Sequence, residues 1–308
     1  MTTLFLSNPI SLEHKTPMGH PERPDRIRAL EAAFEQEAFS GLSREEAPEA
    51  AAETVLLVHP TEFLDRVRKA IPATGIGRID ADTTVSPRSL EAALISVGGA
   101  TWAVDAVVAG RADNAFVMTR PPGHHAERNR AMGFCLFNQA AIAARHAQTA
   151  HGMERIAIVD WDVHHGNGTQ DIFWDDPSVV YCSTHQMPLY PGTGARSETG
   201  KGNIFNAPLS SGDGTDHFRE AFLTRILPAL REAQADLIII SAGFDAHHRD
   251  PLAEINLTAD DFDWATGKVM EIAGKTAGNR VVSLLEGGYD LVGLAESAAA
   301  HVERLMRG

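Results

Sequence analysis

The sequence predicts an α/β fold, a single mostly parallel sheet with helices on both faces. Two observations carry that prediction. Short apolar runs rich in β-branched residues recur along the chain, and segments with apolar residues at helical spacing lie between them. Continuous apolar runs suit strands buried on both faces, and strand–helix alternation suits parallel pairing. Composition agrees: 308 residues, 44% hydrophobic and 22% charged, describe an ordinary globular chain with enough length for a sizeable core.

The strand candidates, in order, are Leu4–Leu6, Val55–Val58, Ala115–Met118, Ile156–Val159, Val179–Cys182, Leu237–Ile240 and Val281–Leu285. The helix candidates are Arg26–Gln36, Ser89–Val108, Asn138–Ala150, His217–Ala233 and Ala259–Ala277. No internal repeat, low-complexity tract or linker interrupts them, so residues 1–308 read as one domain.

The formal net charge of −14 repels phosphate backbones, which argues against a nucleic-acid partner. It would suit a cationic substrate, and plain solubility accounts for it equally. Two cysteines, Cys135 and Cys182, make no disulfide framework and point to a reducing compartment. They read as buried structural residues rather than nucleophiles. No apolar run approaches the roughly 18 residues that span a bilayer. The opening MTTLFLSNPI has no basic region ahead of a long apolar core, so it does not read as a secretory signal. The expectation is a cytoplasmic protein without a membrane partner.

In parallel sheets functional groups gather beyond the carboxyl ends of the strands. The loops after the predicted strands hold nearly all the unusual residues: Arg120-Pro-Pro-Gly-His-His125, Asp160-Trp-Asp-Val-His-His165, Gly243-Phe-Asp-Ala-His247 and Glu286-Gly-Gly-Tyr-Asp290. If the strand before Asp160 continues, Asp160, Asp162 and His164 point to one face. Asp162 and His164 can then reach one ion, with Asp245 supplying a third ligand from a neighbouring strand end. Two carboxylates and an imidazole suit a catalytic zinc, which keeps an open position. Taken singly, an Asp at a strand end is a cap or turn residue. Packing so many ionisable groups behind a buried strand is costly without a partner, which favours a metal.

His124 and His125 emerge from a loop stiffened by two prolines, and histidine can take a proton from water and return it to a leaving amine. Tyr289, after two glycines, can donate a hydrogen bond to a developing oxyanion. Alone, the histidine pair could be a surface loop and the tyrosine an ordinary half-buried one.

The motifs RPPGHHA, GFCLFN, DWDVHHGNGTQ, YPGTG, SAGFDAH, DPL and EGGYD, preceded by GHPERPDR, occur in the order typical of histone-deacetylase-like amidohydrolases. The chain resembles that superfamily, which includes bacterial acetylpolyamine amidohydrolases and acetoin-utilisation proteins, from about Ser7 to Asp290. The resemblance implies the arginase/deacetylase fold, with an eight-stranded parallel sheet. It implies zinc on Asp162, His164 and Asp245, a catalytic His124–His125 dyad whose second member is base and acid, and a carbonyl-polarising Tyr289. It further implies an acyl tunnel lined by Gly133, Phe134 and Tyr190, with Tyr190 replacing the phenylalanine of eukaryotic members, and an arginine, Arg26, near an acetate exit channel.

Behind the histidines the resemblance places Asp160 and Asn167. Asparagine at 167, where many relatives carry aspartate, places the chain nearer the class II members. A structural potassium ion is implied at Asp160, Asp162, His164 and Ser183, and Phe173 hints at a further monovalent site. The implied reaction is hydrolysis of an acylated amine, such as acetylpolyamine or the acetyl-lysine of a protein, to carboxylate and free amine.

Two other readings compete. A binuclear manganese ureohydrolase of the arginase kind is suggested by Asp245-Ala-His247, but needs more bridging carboxylates than the sequence offers. A non-catalytic sensor of acylated ligands would be favoured by loss of the tyrosine or of a ligand, and none is lost. Ferrous iron would be held by the same ligands as zinc. Ile71–Ser86 is short for the dimer-shaping insertion of acetylpolyamine enzymes. Its Asp80 and Asp82 read as a solvated loop, or as groups gripping substrate at the rim. Acyl length, amine partner and oligomeric state stay open.

Overall fold

The computed structural model describes all 308 residues. Its strands are β1 (Thr3–Ser7), β2 (Ser43–Glu46), β3 (Gly77–Arg78), β4 (Thr84–Val85), β5 (Asn114–Met118), β6 (Ile156–Asp160), β7 (Val179–Gln186), β8 (Ile204–Leu209), β9 (Leu237–Ala242) and β10 (Val281–Leu285). Its helices are α1 (Asp25–Phe34), α2 (Thr61–Ala70), α3 (Ser89–Val108), α4 (Gln139–His151), α5 (Asn167–Phe173), α6 (Thr215–Ala221), α7 (Leu227–Ala233), α8 (Ala259–Thr276) and α9 (Leu291–Arg307). Eight strands form one sheet in the order β2-β1-β5-β10-β9-β6-β7-β8, and every neighbouring pair is parallel. The expected α/β fold is therefore present, with β3 and β4 forming a small antiparallel pair outside the sheet.

The strands distribute their side chains to both faces. Leu4, Leu6, Val117, Ile158, Ile239 and Leu284 join the core under α3 and α4, whereas Phe5, Phe116, Val159, Ile240 and Leu285 join the core under α1, α7, α8 and α9. The two cores are nearly equal, at 43 and 42 buried apolar residues, which is why the strands read as unbroken apolar runs. Each fully buried side chain of this size contributes roughly 1.5–3 kcal/mol, so two-sided burial is the main force holding the sheet.

Two expectations need correction. Val55–Val58 is not a strand: Ala52–Leu57 is a 3₁₀ helix capped by Val58, and Val55 and Val58 are buried three residues apart while Leu56 is 40% exposed. The burial period is helical, and the short apolar run hid it. Secondly, α3 is long and apolar enough to cross a membrane, with a mean hydropathy of 1.3, because its small residues dilute Glu91 and Asp105. In the fold, 78% of that window is buried inside the molecule.

All carboxyl ends of a parallel sheet lie at one edge. β5, β10, β9 and β6 are successive neighbours, so the loops that follow them emerge side by side. These four loops carry His124–His125, Glu286–Tyr289, Asp245 and Asp162–His164.

Candidate metal and acid–base site

Asp162, His164 and Asp245 converge in the buried floor of this edge, their ligand atoms all within 4.8 Å of one another. His164 Nδ1 lies 3.1 Å from Asp162 Oδ1 and 3.1 Å from Asp245 Oδ2. The convergence does not come from continued strand alternation, because β6 stops at Asp160. Two successive turns do the work instead: the Asp162 amide donates to Asp160 Oδ1 (3.2 Å), and the His164 amide donates to Asp162 Oδ1 (2.9 Å). Asp245 is anchored by the Val163 amide at 2.8 Å, and Asp162 by the Gly287 amide at 2.8 Å.

The donor set fits a divalent cation. Burial, then the neighbouring Asp162 carboxylate, pushes the Asp245 carboxyl up to about 7. Burial opposes charge on His164 too, yet Asp162 and Asp245 raise its imidazole to about 10. A proton on His164 thus compensates two carboxylates where a cation would do so better. Space is kept for it: a Cβ at Gly243 would stand 2.2 Å from Asp162 Oδ2, and one at Gly287 would stand 2.3 Å from Asp245 Oδ2. Buried carboxylates and imidazole in threes suit zinc, and hold ferrous iron by the same chemistry.

The histidine pair stands beside this group. His124 Nδ1 donates to Asp160 Oδ2 at 3.0 Å, and the Tyr181 hydroxyl donates to the same oxygen at 3.0 Å. Burial disfavours charge on His124, but the Asp162 and Asp160 carboxylates override it and raise the imidazole well above its ordinary value. His125 goes the other way, pushed well down by burial and then by the charges on His124 and His164. Its Nδ1 lies 2.8 Å from Asn167 Oδ1, while Asn167 Nδ2 donates to Glu127 Oε1 at 2.7 Å. A carboxylate only accepts, so the asparagine must turn its NH₂ to Glu127 and its oxygen to His125. His125 Nδ1 is then the donor, and Nε2 is left with its lone pair.

A cavity of about 230 Å³ opens over these groups, lined by Gly133, Phe134 and Tyr190 with Asp82, Leu189, Leu252, His125, His164 and Tyr289. All three expected tunnel residues are on its wall. Tyr190 stands at the mouth, 38% exposed, edge-on to His125 with ring centroids 5.1 Å apart. Phe134 meets Tyr289 at 6.0 Å. Burial and the Asp162 and Asp245 carboxylates push the Tyr289 phenol up, so it keeps its proton. Asp82 faces this cavity and is not a freely solvated loop residue: Oδ1 accepts from the Gly133 amide at 3.1 Å. Asp80 instead pairs with Arg130 at 2.8 Å.

Arg26 is buried, donates to the Gly288 carbonyl at 2.6 Å and the Glu286 carbonyl at 2.5 Å, and stacks on the Tyr289 ring at 5.1 Å. Ser183 pairs with Asp160 across β7 and β6, and its hydroxyl contacts His185 Nδ1 at 2.8 Å. Phe173 is buried in the core at the end of α5. Cys135 and Cys182 are free and buried, and burial raises both thiols, so neither reads as a nucleophile.

Four supporting residues escape sequence reasoning. Glu286 Oε2 accepts from the amides of Gly123 (2.7 Å) and His124 (3.2 Å) and so fixes the histidine loop. Asp250 accepts from the Tyr289 amide at 2.7 Å. Leu252 lines the cavity, and Glu127 orients Asn167. The first three sit inside the quoted motifs EGGYD and DPL, so position was visible even where role was not.

The fold and this edge define a class, hydrolases built on a parallel α/β sheet that act on acetylated amides. Residues 20–305 match the histone deacetylase domain, and the chain belongs to that family. It is 40% identical over 293 residues to a histone deacetylase-like amidohydrolase of Pseudomonas aeruginosa, covering 93% of this chain and 77% of that one. It is 40% identical over 292 residues to a probable deacetylase of Archaeoglobus fulgidus, covering 92% and 80%. Among solved structures, the crystal structure of the HDA15 HD domain superposes with a TM-score of 0.94 at 36% identity, covering 99% of this chain and 88% of that one.

Proposed function

We propose that the chain is a zinc-dependent deacylase that hydrolyses an acetylated or acylated amine, such as acetyl-lysine or an acetylpolyamine, to carboxylate and free amine. The observation that carries this reading is the bare Nε2 of His125, fixed by Asn167 and Glu127, at the floor of a cavity that also holds Asp162, His164 and Asp245.

Asp162, His164 and Asp245 would hold the ion. When bound it supplies Lewis acidity and neutralises developing negative charge. The acyl group enters between Phe134 and Tyr190, past Gly133, and apolar walls exclude bulk water. His125 Nε2 accepts a proton from the attacking water. Tyr289 donates its phenolic hydrogen to the substrate carbonyl oxygen, a bond that strengthens as that oxygen becomes an oxyanion. His124, charged and held by Asp160, keeps positive charge next to His125, and the pair returns a proton to the leaving amine. Asp160 and Asn167 act by orientation, as outer carboxamide and carboxylate partners do for imidazoles. Asp160, Asp162, His164 and Ser183 would hold a structural potassium ion through their oxygen-bearing groups. The single sheet supports one catalytic domain over residues 1–308, and the free buried thiols of Cys135 and Cys182 support a cytoplasmic setting.

The test is amine release from an ε-acetyl-lysine peptide and from acetylated putrescine, each with and without a chelator. Turnover that the chelator abolishes, zinc restores and Tyr289→Phe lowers about 10²–10³-fold is expected. The better substrate identifies the amine. Absence of turnover on every amide by zinc-loaded protein would sink the reading.

A further inference from the structure

A second cluster of metal-ligand side chains lies outside the active site. Asp105 stands near the end of α3, and His146 and His151 stand on the second half of α4. His146 Nε2 is 2.7 Å from Asp105 Oδ1, and His151 Nε2 is 2.6 Å from the same oxygen. The two rings are 5.6 Å apart, nearly perpendicular at 82°. All three ligand atoms lie within 4.8 Å of one another.

We infer that Asp105, His146 and His151 bind a divalent transition metal of the zinc kind, which cross-links α3 to α4. Two imidazoles and one carboxylate are the donors that zinc, cobalt and nickel select, and are poor ligands for magnesium or calcium. In the metal-free state both Nε2 atoms crowd one carboxylate oxygen, so each spends its hydrogen on a shared acceptor. A metal replaces both hydrogens. Ligand atoms at about 2.0–2.1 Å from a tetrahedral ion lie a little over 3 Å apart, so each imidazole needs to move away from the carboxylate oxygen by less than an ångström. The side chains are 20%, 24% and 36% exposed for His146, His151 and Asp105, enough to move and to leave the fourth position open to water.

The site is remote from the chemistry. α3 ends just before β5 begins and α4 ends just before β6 begins, so Asp105 and His151 lie toward the amino edge of the sheet, opposite the His125 cavity. Its effect belongs to the helix pair, not to turnover. Gly152, left-handed at φ 66°, ends α4 directly after His151, so His151 sits in the final turn. A cross-link there ties down a helix end that would otherwise fray.

The test starts from protein stripped by chelator and dialysed against zinc at a few equivalents per chain. Metal per chain is counted by elemental analysis for the unmodified chain, His151→Ala, Asp105→Asn and Asp162→Asn. Two ions are expected in the unmodified chain. One is expected in each of the three variants, with amidohydrolase activity kept in His151→Ala and Asp105→Asn. Zinc should also raise the melting temperature of Asp162→Asn, and this rise should vanish when His151→Ala is added. No ion in Asp162→Asn, or an ion count left unchanged by both His151→Ala and Asp105→Asn, would overturn the inference. An ion bound to Asp162→Asn and lost when His151→Ala is added belongs to this cluster whatever the active site holds, so the outcome is independent of the active-site assignment.

Discussion

Asn167 can hold His125 in the correct tautomer only while something holds Asn167. An amide presents an oxygen or an NH₂ group with nearly the same shape, and the Glu127 carboxylate at 2.7 Å removes the ambiguity. Glu127→Ala should therefore lower kcat about 10- to 100-fold with KM little changed, the usual range for removing such a partner. Glu127→Gln, which can still present an acceptor oxygen, should recover most of the loss. Equal losses in both variants would count against the orienting role. Gly287 makes a different demand. A methyl there would stand 2.5 Å from Asp162 Oδ2 and 2.3 Å from Asp245 Oδ2, so Gly287→Ala should lose the ion proposed for this site by elemental analysis while far-UV circular dichroism stays unchanged. The proposed ligands Asp162 and His164 were readable because Asp160-Trp-Asp-Val-His164 is built of residue types that are costly to bury unpaired. Glu127 was not, because Ala126-Glu-Arg-Asn-Arg130 looks like any polar loop, and its meaning depends on a contact 40 residues away.

At the level of elements, α3 lies against the chain segment Pro48–Ala50 with no room to spare. A Cβ at Gly98 would be 2.0 Å from the Pro48 carbonyl oxygen and 2.7 Å from the Ala50 nitrogen. Both obstacles are backbone, so Gly98→Ala should destabilise the fold by about 1–3 kcal/mol despite alanine's better helix propensity. Chemical denaturation would show this as a lower midpoint with an unchanged slope, and a raised midpoint would mean the segment yields. The central strands were legible because burial on both faces leaves no polar positions. The edges were not. β2 reads Ser-Arg-Glu-Glu and is largely exposed, and β8 carries Asn206 and Pro208, which an edge strand tolerates and a central one does not. α5 is a single short polar segment that forms because Gly166 and the histidine loop place it there. α9 keeps a readable stripe of Leu294, Ala298, Val302 and Leu305 behind its Asp290 cap, diluted by the alanines between them.

For the molecule as a whole, the most distinctive liability is the number of histidines it buries without charge. Burial holds His59 down to about 4, His185 to about 4 and His301 to about 3. The hydrogen bonds require the neutral ring: His59 Nδ1 donates to the Arg128 carbonyl at 3.1 Å while its Nε2 accepts from the Asn138 amide at 3.0 Å. His301 Nδ1 contacts the Thr266 hydroxyl at 2.6 Å and its Nε2 the Ser283 hydroxyl at 2.8 Å, bonds that a neutral ring satisfies. Below about pH 6.5 the unfolded chain takes up protons at these rings and the folded chain does not. Stability is thus lost as pH falls, from about 6.5 down through the folded values of about 3–4.

Glu286 and Asp245 act in the opposite sense, because burial raises both to about 7 and the folded chain gains their protons on acidification. The net curve mixes the two, so the informative quantity is a difference of slopes. His301→Leu should cost stability at pH 7, since Ser283 loses an acceptor partner. It should also flatten the fall between pH 6 and pH 4 by about 1.4 kcal/mol per pH unit, the value of one proton. Denaturation midpoints of both proteins across that window would check it, and parallel curves would show that His301 is protonated in the folded chain as readily as in the unfolded one.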